Sequence, residues 1–330
     1  MSKLTLLMLV PLLACGAQDP VNPSARGFVQ TAAAGNGAPA VVLPTGNVGK
    51  GGNPDGNLLL PPAMAAPAAD GTCNQDVDIV FVLDVSGSMT PALGKLKSEV
   101  TLVDQALQTK NLPHPPHYGL VIFVDQAQTM NMGMAYPDIA SLQAALQIEI
   151  DKTNMDNPRE LVGDSNNLSW TEDGLDGLYA AATEFQWRDP MKTLRTIIMI
   201  TDASFWDGKE PSSGADSEKT NDTFPDHVSK HSYAETIAAL RMQKIWTNTF
   251  SAMTGGPPDG KMAPASHGQW RGISVDVGIG YFTPYNNMGT IAGSTGGMAW
   301  DLDDVYDMKI SLATPINMSI EAHSCAVYPM

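Results

Sequence analysis

The sequence predicts an α/β fold, a doubly wound and mostly parallel open sheet with helices on both faces. Three observations predict it. Runs such as Val77–Leu83, Tyr118–Val124 and Leu194–Thr201 are almost continuously apolar and rich in β-branched residues. Such runs mark strands buried on both faces. Between them lie stretches with helical spacing of apolar residues, and strands alternating with helices imply parallel pairing through crossovers. Two of the apolar runs end on an aspartate, Asp84 and Asp202, where open α/β sheets bind their ligands.

The elements follow in order. After Val77–Leu83, Thr90 is a suitable N-cap and Pro91 a suitable first helical residue. Leu93, Leu96, Val100, Val103 and Leu107 then recur at 3-4-3-4 spacing and predict an amphipathic helix. The strand Tyr118–Val124 is followed by an expected edge strand at Gln128–Met132. Helices are expected near 137–150 and 173–186, the second with Leu175, Leu178, Ala182 and Phe185 on one face. After Leu194–Thr201 come a helix near 231–243, a strand near Lys244–Phe250 and another at Ile273–Ile279. A short helix near 286–294 and a strand at Met298–Leu302 close the list. The long polar loops 205–229 and 251–271 are candidates for function.

The first 72 residues read differently. Met1-Ser2-Lys3 and the apolar run Leu4–Ala14 form a short basic start and a brief apolar core, the pattern of an export signal. The run is too short to span a bilayer, which takes about 20 apolar residues. Leu12-Leu13-Ala14-Cys15 resembles the lipobox of bacterial lipoproteins, in which the cysteine becomes the lipidated first residue. That resemblance implies a signal peptide at 1–14, lipidation of Cys15 and a membrane anchor in a bacterial cell envelope. Gly16, in place of the Asp associated with inner-membrane retention, favours the outer membrane, on its periplasmic face or at the cell surface. The alternative is an ordinary secretory signal in which Cys15 is incidental. Residues 16–72 hold 10 Gly and 8 Pro among 57 residues, with no helical or strand period. Such a composition cannot bury enough apolar area to offset its ordering entropy. Residues 15–72 therefore read as a lipidated cysteine and flexible tether, with a span on the order of 40 Å, leading to a folded domain at 73–330.

The motif that carries chemistry is Asp84-Val85-Ser86-Gly87-Ser88, directly after a buried strand and before a helix. With Asp202 at the end of a second strand, it resembles the von Willebrand factor type A (VWA) family, the fold of integrin I domains. The resemblance covers about residues 74–315 and includes the run Gly289–Leu302, which looks like that family's last helix and strand. It implies a Rossmann-like sheet and a metal-ion-dependent adhesion site formed by Asp84, Ser86, Ser88, Asp202 and a residue from a middle loop. By analogy with α-type I domains that residue is Ser169; by analogy with integrin β subunits it is Glu172. Both stay open, with one expected as ligand and one as helix cap. The second metal site of integrin β subunits needs two aspartates where Pro91 and Ala92 stand, so it is not expected.

The implied chemistry is a bridge. Mg²⁺ takes six oxygens and readily keeps waters; Mn²⁺ or Ca²⁺ could take its place. Ser86 and Ser88 offer neutral hydroxyls, and Asp84 and Asp202 are expected to act partly through water. The cation then attracts a carboxylate from a protein partner. No catalytic residues are assigned. A haloacid-dehalogenase-like phosphotransferase would need a second Asp where Ser86 stands. A structural envelope lipoprotein without metal-dependent binding is the other rival.

Composition supports the rest. A formal net charge of −16 argues against nucleic acid as a partner. Residues 151–230 carry 16 acidic and 8 basic side chains, half of that net charge, which reads as a solvated face. Asp207, Asp216, Asp222 and Asp226 lack EF-hand spacing. His114 and His117, like His227 and His231, lack a zinc or metalloprotease pattern and read as solvated. The 18 methionines read as core filler. With Cys15 lipidated, Cys73 and Cys325 remain, one at each end of the domain. In a VWA fold the two ends emerge close together, so a Cys73–Cys325 disulfide is expected in an exported protein.

Overall fold

The computed structural model describes residues 75–124, 126–153, 171–208, 230–251, 278–326 and 328–329. The chain divides into Met1–Gly56 and Asn57–Met330, and every described residue belongs to the second unit. The signal, the tether, Cys15, Cys73, Ser169, His227 and most of both long loops lie outside the described residues. So does most of the strand expected at 273–279; its last residue, Ile279, makes an isolated bridge to Thr283.

The strands are β1 (Asp76–Asp84), β2 (His117–Phe123), β3 (Ala127–Thr129), β4 (Thr171–Glu172), β5 (Thr193–Thr201), β6 (Ser204–Phe205), β7 (Trp246–Ser251) and β8 (Ala299–Asp301). The helices are α1 (Thr90–Gln108), α2 (Ile139–Thr153), α3 (Gly174–Glu184), α4 (Tyr233–Met242), α5 (Ile291–Thr295), α6 (Leu302–Tyr306) and α7 (Ala313–His323). Six strands form the main sheet in the order β3-β2-β1-β5-β7-β8, and β4 pairs with β6 in a small second sheet. All main-sheet pairs are parallel except β3 with β2. Counting only these six strands along the chain, the order is 3-2-1-4-5-6, the doubly wound arrangement. The predicted fold class is present, and the order reverses between β1 and β5.

β1 is buried at all nine positions, which is why it reads as unbroken apolar sequence. Its alternate residues serve two cores, as the two-residue period of a strand requires. Val77, Ile79, Phe81 and Leu83 pack with Leu93, Leu96, Val100, Val103 and Leu107 of α1, with α2 and with α7. Val80 and Val82 pack with Leu175 and Leu178 of α3 and Leu240 of α4. Each fully buried Leu or Val contributes about 1.5–3 kcal/mol before entropy is set against it.

Several expectations change. Thr90 is the first residue of α1, not its cap. Its hydroxyl donates to the Gly87 carbonyl at 3.1 Å, and a short 3₁₀ turn, Gly87–Met89, precedes the helix. The edge strand stops at Thr129, because Asn131 and Met132 adopt left-handed backbone (φ 51° and 53°). The short helix starts only at Ile291, capped by Thr290, whose hydroxyl accepts from Gly293 N. The methionines are not mainly core filler: Met89 and Met199 are buried, but six of the described methionines are exposed. His114 and His117 are not simply solvated either. The His114 Nδ1 lies 3.1 Å and 3.2 Å from the two carboxylate oxygens of Asp76, and His117 Nδ1 lies 3.7 Å from Asp78. His231 is half-buried, with Nδ1 2.7 Å from an Asp176 oxygen and its ring stacked on Tyr179. No helix among the described residues is long and apolar enough to cross a membrane.

Candidate functional site

The site grows from the carboxyl ends of β1 and β5. Asp84 ends β1 fully buried. Its Oδ1 accepts the Ser86 backbone N–H at 2.8 Å, a local turn that aspartate side chains favour. Its Oδ2 accepts the Thr201 hydroxyl at 2.8 Å. Thr201 in turn accepts from Ala203 N at 3.1 Å, so one hydroxyl joins the ends of both strands. Burial pushes the Asp84 carboxyl above the ordinary range, and the hydrogen bonds from Ser86 and Thr201 pull it back.

The two serines complete the bridge. Ser86 Oγ and Ser88 Oγ are 3.1 Å apart, and Ser88 Oγ donates to Asp202 Oδ1 at 2.9 Å. Asp84, Ser86, Ser88 and Asp202 are thus assembled at the switch point, from segments more than a hundred residues apart. Ser86 is extended (φ −62°, ψ 163°) before the 3₁₀ turn, which lets the chain leave the strand and turn into α1.

The middle loop arrives by a different route. β4 runs parallel to β6, pairing Thr171 with Ser204 and Glu172 with Phe205, and Trp206 N donates to the Glu172 carbonyl at 3.3 Å. Asp173 N donates to the Val124 carbonyl at 2.7 Å, next to the end of β2. Glu172 is therefore held beside the segment that follows Asp202, with its side chain buried. Among the described residues no three His, Cys, Asp or Glu side chains form a group suited to a metal. Nor does Glu172 cap α3, whose N-cap is Asp173, without a side-chain cap bond.

Two residues here were not legible in advance. Thr201 precedes Asp202 and looks like an ordinary strand residue; only the alignment of β1 with β5 shows it facing Asp84. Tyr281 is buried, and burial and the neighbouring Asp84 both push its phenol up. A Cβ on Gly174 would stand 3.4 Å from the Tyr281 hydroxyl and 2.7 Å from Met199 Cε, so glycine at the start of α3 permits this close approach.

The donor set is two hydroxyls and two carboxylates, all oxygen. Hard divalent ions such as Mg²⁺, Mn²⁺ or Ca²⁺ suit such donors better than ions that prefer nitrogen or sulfur. At the opposite end of the domain, Cys325 follows α7 and lies in left-handed backbone (φ 59°). Its backbone N–H donates to the Gln75 side chain at 3.1 Å, which brings the chain's end to the start of β1.

No protein-family model and no curated protein matches the chain. Solved structures with a similar course include the conserved hypothetical protein BatB from Bacteroides thetaiotaomicron, 16% identical over 74% of this chain and 99% of that one, with a TM-score of 0.41. An aerotolerance-related membrane protein from Bacteroides fragilis is 20% identical over 74% and 98%, with a TM-score of 0.40. Proximal thread matrix protein 1 from the mussel byssus, in a form with a zinc-occupied MIDAS motif, is 16% identical over 78% and 48%, with a TM-score of 0.36. None of the three says what this chain binds.

Proposed function

We propose that the protein is a VWA-type binding protein that holds a divalent cation, Mg²⁺ by preference, at the carboxyl ends of β1 and β5, and through it a carboxylate of a protein partner. One observation carries this reading: the Ser88–Asp202 hydrogen bond, with Ser86 beside Ser88, joins the two halves of the motif across the switch point. The cation would supply electrophilic attraction for the partner's Asp or Glu. Ser86 and Ser88 would contribute neutral oxygens, which leave its charge available. Asp84, with both oxygens already accepting hydrogen bonds, suits a role through water and as the acceptor that orients Ser86. The third loop would add Ser169 or Glu172.

Cys15 would carry the lipid and residues 16–72 the reach, so that the domain meets its partner at a bacterial envelope. Cys73 is the proposed partner of Cys325, because it lies two residues before Gln75, which already touches Cys325. In the chain-entropy account such a long loop gives about 5 kcal/mol of stabilisation. Non-reducing peptide mapping is expected to recover a Cys73–Cys325 peptide pair, and recovery of Cys15 joined to Cys325 would overturn the assignment.

The test of function is calorimetry with Mg²⁺ and Mn²⁺ on wild type and Ser86→Ala, followed by a metal-dependent pull-down with Asp202→Ala as control. Binding by the wild type alone supports the reading. No binding by the wild type leaves a structural role. Mg²⁺-dependent phosphatase turnover that disappears in Asp84→Asn would instead make it an enzyme.

A further inference from the structure

The backbone ladder between β1 and β5 stops one residue short of the proposed site. Its last registered pair is Leu83 with Ile200. One step further on, Asp84 and Thr201 are joined by side chains instead, and the Thr201 hydroxyl donates to Asp84 Oδ2 at 2.8 Å. Thr201 is buried and follows four apolar residues, Ile197, Ile198, Met199 and Ile200. Valine has nearly the same shape, is as good a strand residue and brings no polar group into the interior. The hydroxyl is therefore accounted for by what it bonds, not by packing.

The bonds at the two strand ends close a ring. Ser86 Oγ and Ser88 Oγ are 3.1 Å apart, and Ser88 gives its proton to Asp202 Oδ1 at 2.9 Å. A hydroxyl has a single proton to give, so Ser86 is the donor to Ser88. On the other side Ala203 N donates to Thr201 Oγ1 at 3.1 Å, and Thr201 gives its own proton to Asp84. Asp84 Oδ1 accepts Ser86 N at 2.8 Å, and the peptide between Thr201 and Asp202 completes the circuit. Two chains of donors thus end on two carboxylates. The two serines keep lone pairs that a cation can use, whereas Thr201 is engaged on both sides. The bond from Ser86 N fixes the Asp84 carboxylate to its own loop; the bond from Thr201 fixes it to β5.

We infer that Thr201 is a positioning residue of the cation site: by tying the Asp84 carboxylate to β5 it keeps the Asp84–Ser86–Ser88 arm aligned with Asp202. The inference rests on the cation site proposed above. Hydrogen-bond partners standing behind metal-binding groups orient them, and their loss weakens metal affinity by about 10–100-fold. Thr201 acts in this way through Asp84 and does not itself meet the cation.

The experiment titrates Mg²⁺ into the full chain by calorimetry, with Mn²⁺ followed by electron paramagnetic resonance as a second measure of bound metal. Thr201→Val removes the hydroxyl at nearly constant shape and is expected to weaken binding at least about tenfold. Thr201→Ser restores the hydroxyl without the methyl group and is expected to recover most of the affinity. Thr196 supplies the control: it is a buried hydroxyl five residues back along β5 that donates to the Trp246 carbonyl at 3.1 Å. Thr196→Val should leave cation affinity unchanged whatever it does to stability. Thr201→Ala, compared with Thr201→Ser in the same way, serves if the Val variant does not fold. Equal affinity in the wild type and Thr201→Val would overturn this inference and leave the cation site standing. Equal losses in Thr201→Val and Thr201→Ser, or in Thr201→Val and Thr196→Val, would make the effect one of packing or stability and overturn it too. No Mg²⁺ binding by the wild type would overturn the cation site itself, and this inference with it.

Discussion

β1 carries aspartates at both ends, and the two ends of the sheet treat them in opposite ways. At the amino end Asp78 is fully buried. Arg188 meets it with Nε at 2.6 Å and with its backbone N–H at 2.8 Å. The same guanidinium reaches Asp76 at 3.4 Å, and His114 stands against Asp76 as well. At the carboxyl end Asp84 is equally buried, but among the described residues its hydrogen-bond partners are an amide and a hydroxyl, both neutral. A buried carboxylate loses the stabilisation of water and needs compensation. Among the described residues, a cation meets the buried carboxylate at one end and dipoles meet it at the other. The comparison teaches where the proposed cation would act.

The amino end is also closed by packing. His323 of α7 is buried and stacks on Trp246, the first residue of β7, at 4.1 Å between ring centroids. Tyr328 meets the same indole edge-on. Burial depresses the His323 pKa to about 4.

Four measurements would break or sharpen this contrast. The largest effect is expected from Arg188→Ala. Leaving Asp78 buried with His117, 3.7 Å away, in place of the guanidinium should cost about 3–5 kcal/mol in chemical denaturation. Lys at the same position restores the charge but not the planar fork, so recovery should be partial. A loss below 1 kcal/mol would mean that the amino end is not internally compensated.

The next effect is pH-dependent. Between pH 6.5 and 4 the unfolded chain takes up a proton at His323 that the folded chain refuses. Stability is therefore full above about pH 6.5 and falls toward pH 4, by about 3 kcal/mol in total. The difference between wild type and His323→Phe, which keeps a ring against Trp246, isolates this contribution from that of the carboxylates. Parallel curves for the two proteins would remove it.

Third, Mg²⁺ at a hundred times its dissociation constant should stabilise the wild type by about 2.7 kcal/mol. Ser86→Ala and Asp84→Asn should abolish that gain. In chelator Asp84→Asn should be as stable as the wild type or more so, because it removes a buried charge that has no cation. If Asp84→Asn were instead as damaging as Arg188→Ala, the two ends would not differ in kind. The smallest effect is expected from Thr90→Ala, within about 0.5 kcal/mol. Loss of a true N-cap would cost about 1 kcal/mol, and a value that high would restore Thr90 to the capping role its sequence suggests.

Much of the fold was legible because parallel strands and amphipathic helices write long periodic signals. All five residues expected on the inner face of α1 are buried there. Asp84, Ser86, Ser88 and Asp202 were legible because their positions relative to apolar runs place them at strand ends. Other elements were not. β4 and β6 are two residues each, shorter than any period. α7 escaped notice because the apolar row Leu312, Ile316 and Ile320 is short, and Pro315 reads as a break although it sits in the first turn, where proline is tolerated. The pairing of Asp78 with Arg188 joins residues 110 apart, and nothing local in either segment announces it. The left-handed turn after β3 is dictated by its seat on α3, a tertiary constraint imposed on a sequence that reads as strand.

The hydrogen bond from Thr201 to Asp84 spans 117 residues of chain, and the one from Ser88 to Asp202 spans 114. The central pair β1–β5 can form only after that whole length has been closed into a loop, and nonlocal pairing of this kind slows folding. Until then Asp84 faces water and keeps an ordinary carboxylate's hydration. Joining the carboxyl ends of β1 and β5 therefore carries a larger loop-closure cost than any contact made within a single helix.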